Sequence, residues 1–183
     1  MNIDSDYIDL FFEPSDAIAA LVRELSEDDW LVNCYRQNTY PVHRQTNSVV
    51  YVWSEHDYNR IESHIKPGYN ELSERVYSIA ERMRQNWGSG AVITKLMLAR
   101  PGPGQQIPEH KDGHLLTLIH RCHYVVETNP GCVFTINGVD YRFTEGRAVE
   151  INNQAAHSVK NLGPTARVHL ICDILPRAGF KNT

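Results

Sequence analysis

No apolar run in this sequence approaches the roughly 18 residues that a bilayer-spanning helix needs, so no membrane span is expected. Basic runs are lacking too. No five Lys or Arg stand together and the net charge is −4, which leaves nucleic acid without an electrostatic footprint. The amino terminus, MNIDSDYIDLFF, is acidic and lacks the basic-then-apolar plan of a signal peptide. The four cysteines, Cys34, Cys122, Cys132 and Cys172, form no CxxC pair, and three of them sit in apolar, strand-like runs. They read as buried free thiols in a reducing compartment, and a cytoplasmic location is expected. Repeats, low-complexity tracts and an obvious linker are all missing.

What is there is an ordinary globular composition: 183 residues, 42% hydrophobic and 22% charged. A chain of this size buries roughly 70% of the surface it exposes when unfolded. A single domain over residues 1–183 is expected, with a helical or mixed portion at 1–90 and a β-core at 91–175. Residues 15–25, SDAIAALVREL, combine a Ser cap with helical apolar spacing. Residues 48–53, SVVYVW, are β-branched and aromatic, which favours a strand. Residues 68–87 put Leu72, Val76, Ile79, Ala80 and Met83 on one helical face, and Gly88 and Gly90 end that helix. From Ala91 onward seven short β-rich segments alternate with turn residues: AVITKLMLA, HLLTLIHRCHYVVET, GCVFTIN, VDYRFT, RAVEIN, AHSVKN and ARVHLICDIL. That rhythm points to an antiparallel sandwich or barrel against which the helices pack. The fold class is mainly β.

One stretch, PEHKDGHLL, crowds two histidines, an aspartate and a glutamate into a few residues. His110 and His114 have the i, i+4 spacing of helical zinc ligands, but Pro108 and Gly113 argue against a helix there. In extended chain, residues i and i+2 face the same way, so His110 and Asp112 share a face. That is two-thirds of a 2-His-1-carboxylate triad, which suits Fe(II) and leaves coordination positions open. The second His must come from a distant strand near a turn, and His157 in NNQAAHSVKN fits best. The competing reading of HxD is a solvated loop. Arg167 lies in the apolar run ARVHLICDIL, where a buried cation requires a partner. Asp173 on the same strand face is one candidate partner, and a ligand carboxylate is the other. Arg121 and His123 share a strand face, while His120 and Cys122 point the other way and read as packing residues.

H-x-D at 110–112, R-x-H at 121–123, the run NPGCVFTINGVDYRFTEGRAVEINNQAAHSV and the late Arg167 together resemble the aspartyl/asparaginyl β-hydroxylase family. These are Fe(II)- and 2-oxoglutarate-dependent oxygenases on a double-stranded β-helix (jelly roll, cupin-like), and they take in cis-type proline hydroxylases. The resemblance covers roughly residues 93–175. It implies His110, Asp112 and His157 as the iron ligands and catalytic centre. It implies Arg167 as the clasp on the distal carboxylate of 2-oxoglutarate, and Arg121 and His123 as holders of the carboxylate nearer the metal. The implied cofactors are Fe(II), 2-oxoglutarate and O2, with ascorbate as a supporting reductant. The implied reaction is hydroxylation of an unactivated C–H bond of a free amino acid or a protein residue (Asp, Asn or Pro-like), with succinate and CO2 as coproducts. Members that act on epidermal-growth-factor-like domains carry glycine where this chain has Asp112, so the family name does not fix the substrate. A hydroxyl-bearing residue that contacts the distal carboxylate in some members corresponds to Ala99, with Lys95 or Arg100 as replacements.

The residues alone leave alternatives open: a cupin-like metalloenzyme without a cosubstrate, such as an isomerase, or a non-catalytic 2-oxoglutarate sensor. Asn152, Asn153 and Gln154 are candidates for orienting His157, or simply turn formers. Residues 33–53, with Arg36, His43, Arg44 and Trp53, are either a wall or lid over the site or an ordinary surface connection.

Overall fold

A computed structural model describes residues 3–54, 62–63 and 70–176. The first half contributes β1 (Tyr7–Phe12), α1 (Asp16–Arg23), α2 (Glu27–Leu31), α3 (Tyr35–Thr39), β2 (Thr46–Trp53), β3 (Glu62–Ser63) and α4 (Glu71–Arg84). The second half adds β4 (Val92–Pro101), β5 (Gln106–His110), β6 (His120–Glu127), β7 (Cys132–Ile136), β8 (Val139–Tyr141), β9 (Arg147–Ile151), β10 (His157–Asn161) and β11 (Val168–Leu175). No described helix is long and apolar enough to cross a membrane.

The strands form two antiparallel sheets. The larger runs β1-β9-β6-β11-β4-β2-β3 and the smaller β5-β10-β7-β8. They pack face to face around Ile107, Phe134, Ile136 and Val159 from the small sheet and Val125, Val149 and Ile151 from the large one. This is the antiparallel sandwich that the strand rhythm suggested and the jelly roll that the family resemblance implied, with the core extended into the first half of the chain by β1 and β2.

Period-two alternation explains why polar residues stand in apolar runs. On β11, Val168, Leu170, Cys172 and Ile174 face the helices, where they meet Ile18, Val22, Val76, Ile79 and Met83. Removing each large apolar side chain from water contributes about 1.5–3 kcal/mol. The alternate residues, His169, Ile171 and Asp173, stand beside Ala99, Met97 and Lys95 on β4, and Ile171 and Asp173 beside His123 and Arg121 on β6. The inner face of the large sheet therefore carries a polar, basic patch.

Local signals account for the remaining details. The β7–β8 hairpin turns on Asn137 and Gly138, whose φ values of 50° and 79° are those of a tight left-handed turn. Helix α4 begins at Asn70, whose side chain accepts from Ser73 N at 3.0 Å. It ends at Arg84, so the expected 68–87 span is shortened, and residues 68 and 69 lie outside the described ones. The strand expected from residue 114 begins at His120 instead, because His114–Leu118 form a 3-10 turn entered through His114 at φ 54°. Strand β1 was not expected. It is half exposed at the sheet edge, where Arg147 grips Asp9 at 2.5 and 2.7 Å.

Candidate active site

The small sheet sets the first pair of ligands. His110 closes β5 and His157 opens β10, and the two are direct cross-strand partners, with ring centres 4.3 Å apart. Asp112 follows two residues after β5, and its backbone N–H donates to Asn153 O at 2.9 Å. One ligand atom from each of His110, Asp112 and His157 lies within 4.8 Å of the others.

The protonation pattern suits a metal. His110 Nδ1 donates to Pro108 O at 2.8 Å, and His157 Nδ1 donates to Ala155 O at 2.9 Å. Each imidazole thus keeps its proton on Nδ1 and leaves the Nε2 lone pair free. Burial holds His157 well below the usual histidine range, so its ring is neutral. Asp112 Oδ1 faces His110 Nε2 at 4.0 Å, while Oδ2 is taken by Arg121 Nη1. Backbone carbonyls, rather than side chains from the Asn152–Asn153 turn, orient the rings. Asn153 instead donates to Leu116 O at 2.8 Å and fixes the neighbouring loop.

Arg121 is the hub of the inner face. Its Nε and Nη2 meet the two carboxylate oxygens of Asp173 at 2.8 and 2.7 Å. The nearby cations, Arg121 first, hold fully buried Asp173 below the usual carboxylate range even though burial alone would raise it. Asp173 is therefore not the partner of Arg167, as same-face spacing had allowed.

Arg167 is 3% exposed, and its Nη2 donates to His169 Nδ1 at 2.7 Å. Its guanidinium lies 5.6 Å from the Phe134 ring centre, and no described carboxylate pairs with it. Burial draws its pKa down to about 9. His123 stands 3.4 Å from His169, Nδ1 to Nδ1, and its buried Nε2 finds no partner among the described residues. A buried guanidinium that no described carboxylate pairs with matches what the distal carboxylate of a dicarboxylate cosubstrate requires.

His169 was missed at the sequence level, although its direct β4 partner is Ala99, where the hydroxyl is lacking. Of the two replacements considered for that hydroxyl, Arg100 is placed elsewhere. It pairs with Glu27 at 2.5 and 2.8 Å and stacks over Trp30. Lys95 reaches the site, with its Nζ 4.5 Å from the Trp53 ring centre. His120 is a packing residue, stacked on Trp87 and bonded to Glu150 at 2.5 Å.

A cavity of about 610 Å³ opens beside the triad. His110 and Asp112 line it, and so do Arg36, Tyr40, His43 and Trp53 from residues 33–53. That segment is a wall of the site and not a remote connection.

Solved structures share this architecture at low identity. A prolyl-4-hydroxylase from Pseudomonas putida aligns over 96% of this chain and 95% of its own, at 15% identity and a TM-score of 0.56. A viral collagen prolyl hydroxylase from Paramecium Bursaria Chlorella virus-1, solved with 2-oxoglutarate, aligns over 93% and 96%, at 12% and 0.58. An oxidoreductase of the 2OG-Fe(II) oxygenase family from Burkholderia pseudomallei aligns over 94% and 97%, at 14% and 0.55. No curated protein matches the sequence. The family profile described as Aspartyl/Asparaginyl beta-hydroxylase matches residues 40–176, which takes in the triad, Arg121, His123 and Arg167. The chain belongs to the aspartyl/asparaginyl β-hydroxylase family.

Proposed function

We propose that this protein is an Fe(II)- and 2-oxoglutarate-dependent dioxygenase that hydroxylates an unactivated C–H bond of an amino acid or amino-acid residue. The observation that carries this reading is the convergence of one ligand atom from each of His110, His157 and Asp112 within 4.8 Å. That donor set is the facial arrangement of non-haem Fe(II) oxygenases. With iron, 2-oxoglutarate and dioxygen bound, the site supplies oxidative decarboxylation to succinate and CO2, coupled to insertion of one oxygen atom into the target.

The protein's own groups bind, orient and shield. His110, His157 and Asp112 hold the ion, and Arg121 fixes Asp112 so that Oδ1 stays turned toward the imidazoles. Arg167 clasps the distal carboxylate of the cosubstrate, and His169 holds the guanidinium in place from the position opposite Ala99. His123, with its ring proton on Nε2, donates to the carboxylate nearer the metal, since that nitrogen has no partner among the described residues. Arg121, expected to share that task, is already engaged by Asp112 and Asp173, and we assign it to positioning the metal ligand. The target enters through the large cavity, whose wall includes His110 and Asp112.

The test is 2-oxoglutarate-dependent succinate release by Fe(II)-loaded protein, alone and with a panel of amino acids and peptides, beside Asp112→Ala. Slow release that Asp112→Ala loses supports the assignment, and stimulation by one panel member identifies the target class.

A further inference from the structure

Arg36 is a buried cation that no described carboxylate pairs with. It sits on α3 at 6% exposure. Among the described residues its guanidinium meets Ser48 Oγ at 3.5 Å and His43 Nε2 at 3.3 Å. Asp112 and Asp173 are both gripped by Arg121. Burial lowers the Arg36 pKa to about 10, which still leaves it charged near neutrality. A guanidinium taken out of water without an anion is unfavourable unless something else supplies one.

Its surroundings are rich in donors and poor in acceptors. Arginine can only donate, so His43 Nε2 must accept and the imidazole proton sits on Nδ1. That Nδ1 is buried with no acceptor among the described residues, and so is the indole Nε1 of Trp53. Lys95 faces Asp173 across the strands but forms no ion pair within 4.0 Å, because Arg121 occupies that carboxylate. All four residues line the cavity that His110 and Asp112 also line. The rings of His43 and His110 are 5.7 Å apart, so one imidazole separates Arg36 from the triad.

We propose that this wall is a carboxylate subsite for the molecule being hydroxylated, in which Arg36 clasps the carboxylate and Lys95 and Trp53 complete the donor set. The inference rests on the oxygenase reading, under which Arg167, His123 and the metal account for both carboxylates of the cosubstrate. The surplus positive charge of Arg36 and Lys95 then belongs to the target. The target is an amino acid or acidic residue with a carboxylate close to its reactive carbon. Arg36 lies before residues 40–176, so the clasp itself comes from outside the family match, while Trp53 and Lys95 lie within it.

The test uses protein loaded with Fe(II) and saturating 2-oxoglutarate under anaerobic conditions. It is titrated calorimetrically with L-proline, L-aspartate and N-acetyl-L-aspartate, and with L-prolinamide and L-aspartic diamide. It is also melted in acetate and in chloride at equal ionic strength. Acetate should raise Tm beyond chloride, and at least one acid should bind about ten- to a hundredfold more tightly than its amide. Arg36→Gln should abolish both effects, and Arg36→Lys, which keeps the charge, should retain part of each. The acetate arm requires no knowledge of the natural target. No acetate effect, or one that survives Arg36→Gln, overturns the proposal. So does a larger loss of 2-oxoglutarate affinity than of acid affinity in Arg36→Gln, since that assigns Arg36 to the cosubstrate. If the wild type fails to bind 2-oxoglutarate, the oxygenase reading falls instead, and the acetate melts on metal-free protein still decide the role of Arg36.

Discussion

Arg121 and Asp173 form a two-pronged ion pair between adjacent strands, with Nε and Nη2 at 2.8 and 2.7 Å from the two carboxylate oxygens. The third nitrogen of the same guanidinium reaches Asp112. A residue that no water touches, Asp173 at 0% exposure, therefore anchors a metal ligand at one remove.

Asp173→Ala should for that reason do two things. It leaves a buried guanidinium short of an anion, an error worth about 3–5 kcal/mol. For a chain of this length that corresponds to a fall in Tm of roughly 10 °C. It also frees Arg121 to swing, so Fe(II) affinity should drop about 10- to 100-fold. Thermal melts and metal titrations check both, and a variant with wild-type Tm and metal affinity would contradict the anchoring role.

Arg167→Gln should separate cosubstrate from metal. The 2-oxoglutarate Kd should rise about 10- to 100-fold through loss of a charge-assisted clasp. Fe(II) affinity should change far less, because Arg167 contacts no triad residue in the hydrogen-bond network. Arg167→Lys should restore only part of the affinity, since an ammonium cannot make the planar two-pronged contact. Anaerobic calorimetry with each ligand in turn is the measurement.

Removing the metal should leave the fold standing. The apolar clusters are built without His110, Asp112 or His157, in contrast to zinc modules that unfold when stripped. Chelated protein should melt cooperatively, and added Fe(II) at about 100 times its Kd should stabilise it by about 2.7 kcal/mol. Asp112→Ala should lose that increment. A chelated protein that is unfolded at 25 °C would refute this.

Acid should weaken the metal-free protein well above the carboxylate range. Burial, followed by the Arg167 charge, holds His123 and His169 well below the ordinary histidine value. Below about pH 6.5 the unfolded chain takes up protons that the native rings refuse, so stability falls as pH drops. Each such histidine contributes a slope of up to about 1.4 kcal/mol per pH unit. Melts from pH 7.5 to 5 should show Tm declining, and His169→Phe should flatten the decline. A Tm independent of pH over that range would count against neutral buried imidazoles.

Much of this was legible in the sequence because the signals are local. Turn residues such as Asn137-Gly138 and period-two runs such as VHLICDIL mark strands directly. HxD, His157 and Arg167 announced themselves by residue type and order. What stayed hidden depends on which strands become neighbours. The Arg121–Asp173 ion pair, and His169 standing opposite Ala99, follow from the order β6-β11-β4, which no single segment encodes. Arg100 was a plausible cosubstrate contact until β4 turned it outward to Glu27. Strand β1 escaped notice because its six residues at the sheet edge show no alternation of buried and exposed positions, and Arg36 because a short helix carries no sign of what its buried face will meet.

The most direct test of the oxygenase assignment is succinate release by the purified protein with Fe(II), ascorbate, 2-oxoglutarate and oxygen, measured beside Asp112→Ala. The account predicts slow release in the wild type without added target and none in the variant. Equal release from both, or no binding of 2-oxoglutarate by the iron-loaded wild type, would contradict it.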